Sequence, residues 1–88
     1  MKGKLKPEEI KQIFIENTYN NVSQAELAKR YGVSQGNVSL SLKYYALDAL
    51  KFDVNSPDLS DEDKSKKLGL TKDQYAMLVF KGRSKLMG

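Results

Sequence analysis

Ser23 and Ser34 lie eleven positions apart, and the residues around and between them mark a helix start, a helix stop and a second start. Ser23 and Glu26 occupy the two positions of a capping box, in which each side chain answers an orphan backbone N–H of the first helical turn. Val22 and Leu27 flank them as a hydrophobic staple. Gly32 follows where a helix most easily ends in a left-handed residue. Val33 turns inward, and Ser34 can cap the next helix. These signals agree on a short helix from Ser23 to about Tyr31, a tight turn, and another helix entered at Ser34.

Upstream, Pro7 suits a first helical position, and Glu8 and Glu9 favour the positive end of a helix. Ile10, Ile13 and Phe14 recur at helical spacing, which predicts a first helix over residues 7–18 that Asn17, Asn20 and Asn21 bring to an end. Downstream, Val38, Leu42, Tyr45, Ala49 and Phe52 form one apolar stripe, and Leu40, Tyr44 and Leu47 form a second beside it. A long third helix is predicted, with surplus apolar surface for the C-terminal part of the chain or for a second subunit. Asn55, Ser56, Pro57 and Asp58 punctuate a connector over residues 53–63. Thr71 and Gln74 then form another capping box, with Leu70 and Tyr75 as its staple pair. The helix they start is expected to end near Gly82, leaving Lys81, Arg83 and Lys85 as a basic tail. No run alternates with the period of two that a half-buried strand requires.

The expected fold class is therefore all-α, a small helical bundle of about five helices. It divides into a flexible basic arm over 1–6, a three-helix unit over 7–52, an acidic connector over 53–63 and a C-terminal helical unit with its tail over 64–88. A chain of 88 residues buries only about 60–65% of the surface it exposes when unfolded. It has little room for a catalytic cavity, and oligomerisation would supplement its stability. Cysteine and histidine are both absent, which removes disulfides, thiolate chemistry, the common zinc ligand sets and the usual neutral-pH general base. No catalytic residue, metal site or cofactor is expected. Asp61, Glu62 and Asp63 form the densest carboxylate cluster, and a helix start explains them better than catalysis does. The longest apolar run, Ala76 to Phe80, is five residues, too short to span a membrane. Met1–Leu5 lacks the apolar run of a secretory signal, so a cytoplasmic protein is expected.

Charge is unevenly distributed. Residues 1–47 carry seven basic groups against four acidic ones, 48–63 one against six, and 64–88 seven against one. Two basic blocks flank an acidic middle, a distribution that suits a polyanionic partner held away from the connector.

The segment Gln24-Ala-Glu-Leu-Ala-Lys-Arg-Tyr-Gly-Val-Ser-Gln-Gly-Asn-Val-Ser-Leu-Ser-Leu-Lys43 resembles the helix-turn-helix of phage repressors and Cro proteins. It is also similar to plasmid regulators of the KorA/TrfB type, through Gly36-Asn37-Val38-Ser39. Ala28 is small where the two helices approach, Gly32 sits in the turn, and Leu27, Tyr31, Val33, Val38 and Leu42 supply the core between them. The resemblance covers residues 7–47. It implies a recognition helix in the major groove of double-stranded DNA, its N-terminal residues at base edges. Carried over, Gln35, Gly36, Asn37, Ser39 and Leu40 would face the groove and Lys43 a phosphate. Gln35 would pair with adenine and Leu40 touch a thymine methyl. Ser23, Gln24 and Ser34 would donate to phosphates from helix N-termini. No arginine occupies the first turn of that helix, and Gly36 costs it about 0.5–1 kcal/mol relative to alanine.

A shift of 37 positions lays Ser60 on Ser23, Ser65 on Ala28 and Leu68-Gly69-Leu70-Thr71 on Tyr31-Gly32-Val33-Ser34, a degenerate second helix-turn-helix. It fails where Lys64 meets Leu27. The other reading makes residues 60–82 two helices that pack on the third or form a homodimer interface, with Tyr75, Leu78 and Val79 carrying it. The leading functional expectation is a sequence-specific DNA-binding regulator of phage or plasmid type. The alternatives are a recombination accessory or architectural protein engaging DNA with tandem units, and a protein-binding helical module docking through Leu40, Tyr44 and Leu47.

Overall fold

A computed structural model describes residues 5–87, and the side chains of 5–85. The order is α1 (Pro7–Tyr19), α2 (Gln24–Tyr31), α3 (Gln35–Asn55), α4 (Asp61–Lys67) and α5 (Lys72–Met87). Among the described residues there is no strand, so the chain is all-α as its spacing predicts. No helix among them is long and apolar enough to cross a membrane. The chain divides into two units, Met1–Tyr44 and Tyr45–Gly88, with the boundary inside α3.

In the first unit, Pro7 opens α1, and the Glu9 carboxylate accepts the Lys6 backbone N–H at 2.9 Å. Asn17 stays inside the helix and reaches forward, its side-chain amide donating to the Val22 carbonyl at 2.9 Å. Asn20 and Asn21 end the helix, Asn21 at a positive φ of 56°. The Ser23 hydroxyl accepts the Glu26 N–H at 3.1 Å and starts α2. Ile13, Leu27, Ala28 and Val38 are buried together, with Ile10, Val22, Tyr31, Val33 and Leu42 packed against them. Leu5 joins this core at 7% exposure, which corrects the expectation of a flexible arm over 1–6. Burying one leucine against this cluster is worth about 1.5–3 kcal/mol, enough to hold Leu5 and Lys6 to the unit. The remainder of the expected arm, 1–4, lies outside the described residues.

In the second unit, α3 runs past the expected Phe52 to Asn55 and takes Asp53 out of the connector. It stops there because Pro57 disfavours helical geometry at Ser56. Ser60 caps α4 by accepting the Asp63 N–H at 3.2 Å. Asp61, Glu62 and Asp63 sit at the positive end of that helix, and Lys64, Lys66 and Lys67 at its negative end, as the helix dipole favours. The Thr71–Gln74 box closes in both directions, at 3.0 and 3.1 Å. Its staple residues Leu70 and Tyr75 are both buried.

Lys64 is also buried, at 7% exposure. Its ammonium donates to Asp53 Oδ1 at 2.9 Å and to the Asp53 carbonyl at 3.2 Å, and the Tyr75 hydroxyl donates to the same Oδ1 at 2.9 Å. A charge network thus occupies the place of the apolar contact that Leu27 makes in the first unit. The Lys64 hydrogen bond holds the Asp53 carboxyl below the usual aspartate range, against the opposing effect of burial; Tyr75 and Arg83 add to the lowering. Burial and Asp53 together raise the Tyr75 hydroxyl well above its ordinary value, so it remains a donor.

Gly82 does not end α5, which continues to Met87. It is a packing residue: a Cβ there would run into the Ala46 carbonyl oxygen and lie 3.2 Å from Leu50 Cβ. Tyr75, Leu78 and Val79, expected to carry a dimer interface, are buried at 2%, 0% and 7% exposure, so they serve the core of their own chain.

Gly82→Ala gains helix propensity of about 1 kcal/mol yet overpacks against backbone, so a net loss of about 1–2 kcal/mol is expected in urea unfolding. Asp53→Ala strands the Lys64 charge and costs about 3 kcal/mol or more, whereas Lys64→Met leaves Asp53 bonded to Tyr75 and costs much less. Because Asp53 titrates lower folded than unfolded, its stabilisation is whole above about pH 4 and fades as pH falls through the lowered value. Asp53→Asn should flatten that acid limb in thermal melts recorded between neutral and acidic pH.

Candidate nucleic-acid interface

The geometry begins with a backbone device. Gly32 takes φ 67°, the Val33 N–H reaches back to the Ala28 carbonyl at 3.0 Å, and the Gly32 N–H reaches Lys29 at 3.3 Å. This pairing is a Schellman motif. It turns the chain within Gly32–Ser34, directs Val33 to the core and releases Ser34 as the cap of α3, its hydroxyl accepting the Asn37 N–H at 3.0 Å. Val38, one turn into α3, is wholly buried, which fixes the rotation of the helix and hence which residues face outward.

At about 100° per residue, Gln35, Gly36, Ser39, Leu40 and Lys43 fall within an arc of about 140°. All five are exposed, Leu40 at 50%. Asn37 falls beyond the edge of that arc: it is half-buried and its Oδ1 accepts the Ser41 hydroxyl at 3.2 Å. Ser23 is exposed at the start of α2, and Gln24, the next residue, is half-buried. The Ser23 and Ser34 hydroxyls each accept one cap N–H, and each keeps its own O–H free to donate. Ser41 caps nothing and lies on the inner side of the arc.

Gly36 stands in open space. A Cβ there would meet only the Ser34 hydroxyl oxygen, at 3.9 Å, so nothing within the chain requires glycine. The cations nearest in sequence divide their roles. Arg30 pairs with Glu16 at 3.1 Å and ties α2 to α1, while Lys29 and Lys43 are exposed. Tyr44, 55% exposed beside Lys43, extends the outer face of α3; its place in the second apolar stripe signals that exposure. Leu47, the last member of that stripe, is half-buried.

Comparison with known proteins found no match: no family model, no curated protein and no solved structure aligns with the chain.

Ala28 is 6% exposed and its carbonyl anchors the turn. Ala28→Leu adds bulk where α2 and the turn meet, at a cost of about 1–3 kcal/mol. Circular dichroism melts should show a lower Tm, and amide exchange should rise first at Val33.

Proposed function

We propose that this chain binds double-stranded DNA sequence-specifically, with the first turns of α3 in the major groove. One observation carries the reading: an exposed, mainly polar face, Gln35, Gly36, Ser39 and Lys43, stands on a capped helix whose rotation a buried Val38 holds. Gly36 adds to it. Gly36 stands in the first turn of α3, where no neighbour within the chain calls for glycine, and a position without a Cβ lets a groove wall approach the backbone closely.

In this role Gln35 offers the amide pair that matches adenine N6 and N7, Ser39 donates or accepts at a base edge, and Leu40 packs on a thymine methyl. Lys43 and the Ser23, Gln24 and Ser34 side chains hold phosphates, which sets register without reading sequence. Asn37 supports the face through Ser41. The resemblance to phage and plasmid regulators makes a small transcriptional regulator the role proposed here, acting in the cytoplasm. Two-fold recognition of paired half-sites would require a homodimer, with the C-terminal helix α5 supplying the contact.

Fluorescence anisotropy with labelled duplex tests this. Gly36→Leu should leave the fold as stable as the wild type or more so, and lower duplex affinity at least about tenfold by holding α3 off the groove. Lys43→Ala should weaken binding to all sequences alike and reduce the salt slope by about one. Unchanged affinity in Gly36→Leu would refute the proposed face.

A further inference from the structure

The second unit repeats the backbone of the first at the 37-residue shift. Ser60 caps α4 as Ser23 caps α2, each accepting the N–H three residues on. Gly69 takes φ 70° where Gly32 takes 67°. Leu70 N–H donates to the Ser65 carbonyl at 2.9 Å where Val33 donates to Ala28 at 3.0 Å. Thr71 caps α5 as Ser34 caps α3, and buried Tyr75 stands where Val38 is buried. The helix–turn–helix geometry is therefore present twice.

The repeat shows what the outer helix of this geometry tolerates. At the positions of Gln35, Gly36, Ser39 and Leu40 the second unit carries Lys72, Asp73, Ala76 and Met77, all exposed. A base and an acid stand side by side in the first turn of α5, and the Thr71–Gln74 box closes around them. The backbone thus accepts either charge there. That α3 carries no charge at Gln35, Gly36, Ser39 or Leu40 is a property of its sequence, not a demand of the turn.

This absence has a chemical meaning in a major groove. Guanine O6 and N7 are matched by arginine or lysine, and the cytosine amino group by a carboxylate. The first two turns of the α3 face hold neither. They hold Gln35, whose amide fits adenine N6 and N7, and Leu40, which is 50% exposed and fits the 5-methyl group of thymine. Ser39 serves any pair, and Gly36 reads none. Leu40 stands about 7.5 Å along the helix from Gln35, against about 3.4 Å per base-pair step, so the two address different pairs. Lys43 stands about 12 Å from Gln35 along the same axis, beyond the N-terminal residues that meet base edges.

We infer that the duplex selected by this face is A·T-rich, with Gln35 reading an adenine, Leu40 the methyl group of a thymine, and no G·C pair specified by the first two turns of α3. The inference rests on the DNA-binding reading and names its substrate class.

Selection of bound duplexes from a random pool by the full chain, followed by fluorescence anisotropy on the selected duplex, tests it. A·T pairs should dominate the contacted positions. Replacing the contacted thymine by deoxyuridine removes only the methyl group and should weaken wild-type binding about fourfold, while Leu40→Ala, its fold intact, should bind both duplexes alike. Replacing the contacted adenine by 7-deazaadenine removes the N7 acceptor and should weaken wild-type binding about threefold or more, with Gln35→Ala indifferent to the change. Selected sites that fix G·C pairs, equal binding of A·T and G·C duplexes, or a wild type indifferent to deoxyuridine at every thymine would overturn the inference and leave the DNA reading standing. A chain that binds no duplex of any sequence would overturn both.

Discussion

In each unit the direction of the outermost helix is set by one residue in the left-handed region. Gly32 and Gly69 take φ near 70°, a conformation that costs an L-residue with a Cβ about 1–2 kcal/mol. The bond this conformation permits, from the next residue's N–H back to the carbonyl of Ala28 or Ser65, ties the turn to the helix before it. Once tied, the following apolar residue points inward and the hydroxyl after it caps the next helix. The exposed face of α3 is thus a consequence of backbone hydrogen bonding at Gly32, with Val38 holding the rotation from inside.

The same backbone carries different chemistry in its two appearances. In the first unit the space beneath the turn is filled by hydrocarbon, at Leu27 and Val38. In the second, Lys64, Asp53 and Tyr75 fill it with a bonded charge network. A network of that kind contributes little net stability over a hydrocarbon core, yet is strongly destabilising when its shared carboxylate is removed. Outside, the order reverses, with polar residues on α3 and apolar ones on α5.

What was legible in the sequence follows the range of each interaction. Caps, staples and glycine stops act within about five residues, and Ser23, Gly32, Ser34, Ser60, Gly69 and Thr71 all perform as their local spacing predicts. Features set by distant partners were hidden. Lys64 read as a failed core position because its carboxylate lies eleven residues upstream. Gly82 read as a stop because its reason, the Ala46 carbonyl, is on another helix. Tyr75, Leu78 and Val79 read as interface because an apolar stripe does not say whether its own chain or another covers it. On the candidate site, the resemblance grouped Gln35, Gly36, Asn37, Ser39, Leu40 and Lys43; helical spacing keeps five of them on one exposed arc and sets Asn37 outside it, where its Oδ1 accepts the Ser41 hydroxyl.

The most direct test of the central claim is an amide NMR titration of the chain with duplex DNA carrying a selected binding site. The account predicts shifts concentrated at residues 23–24 and 34–43, with the amides of 72–80 moved little by DNA. Perturbations centred on α5, or spread evenly over both basic blocks with none concentrated on α3, would contradict it.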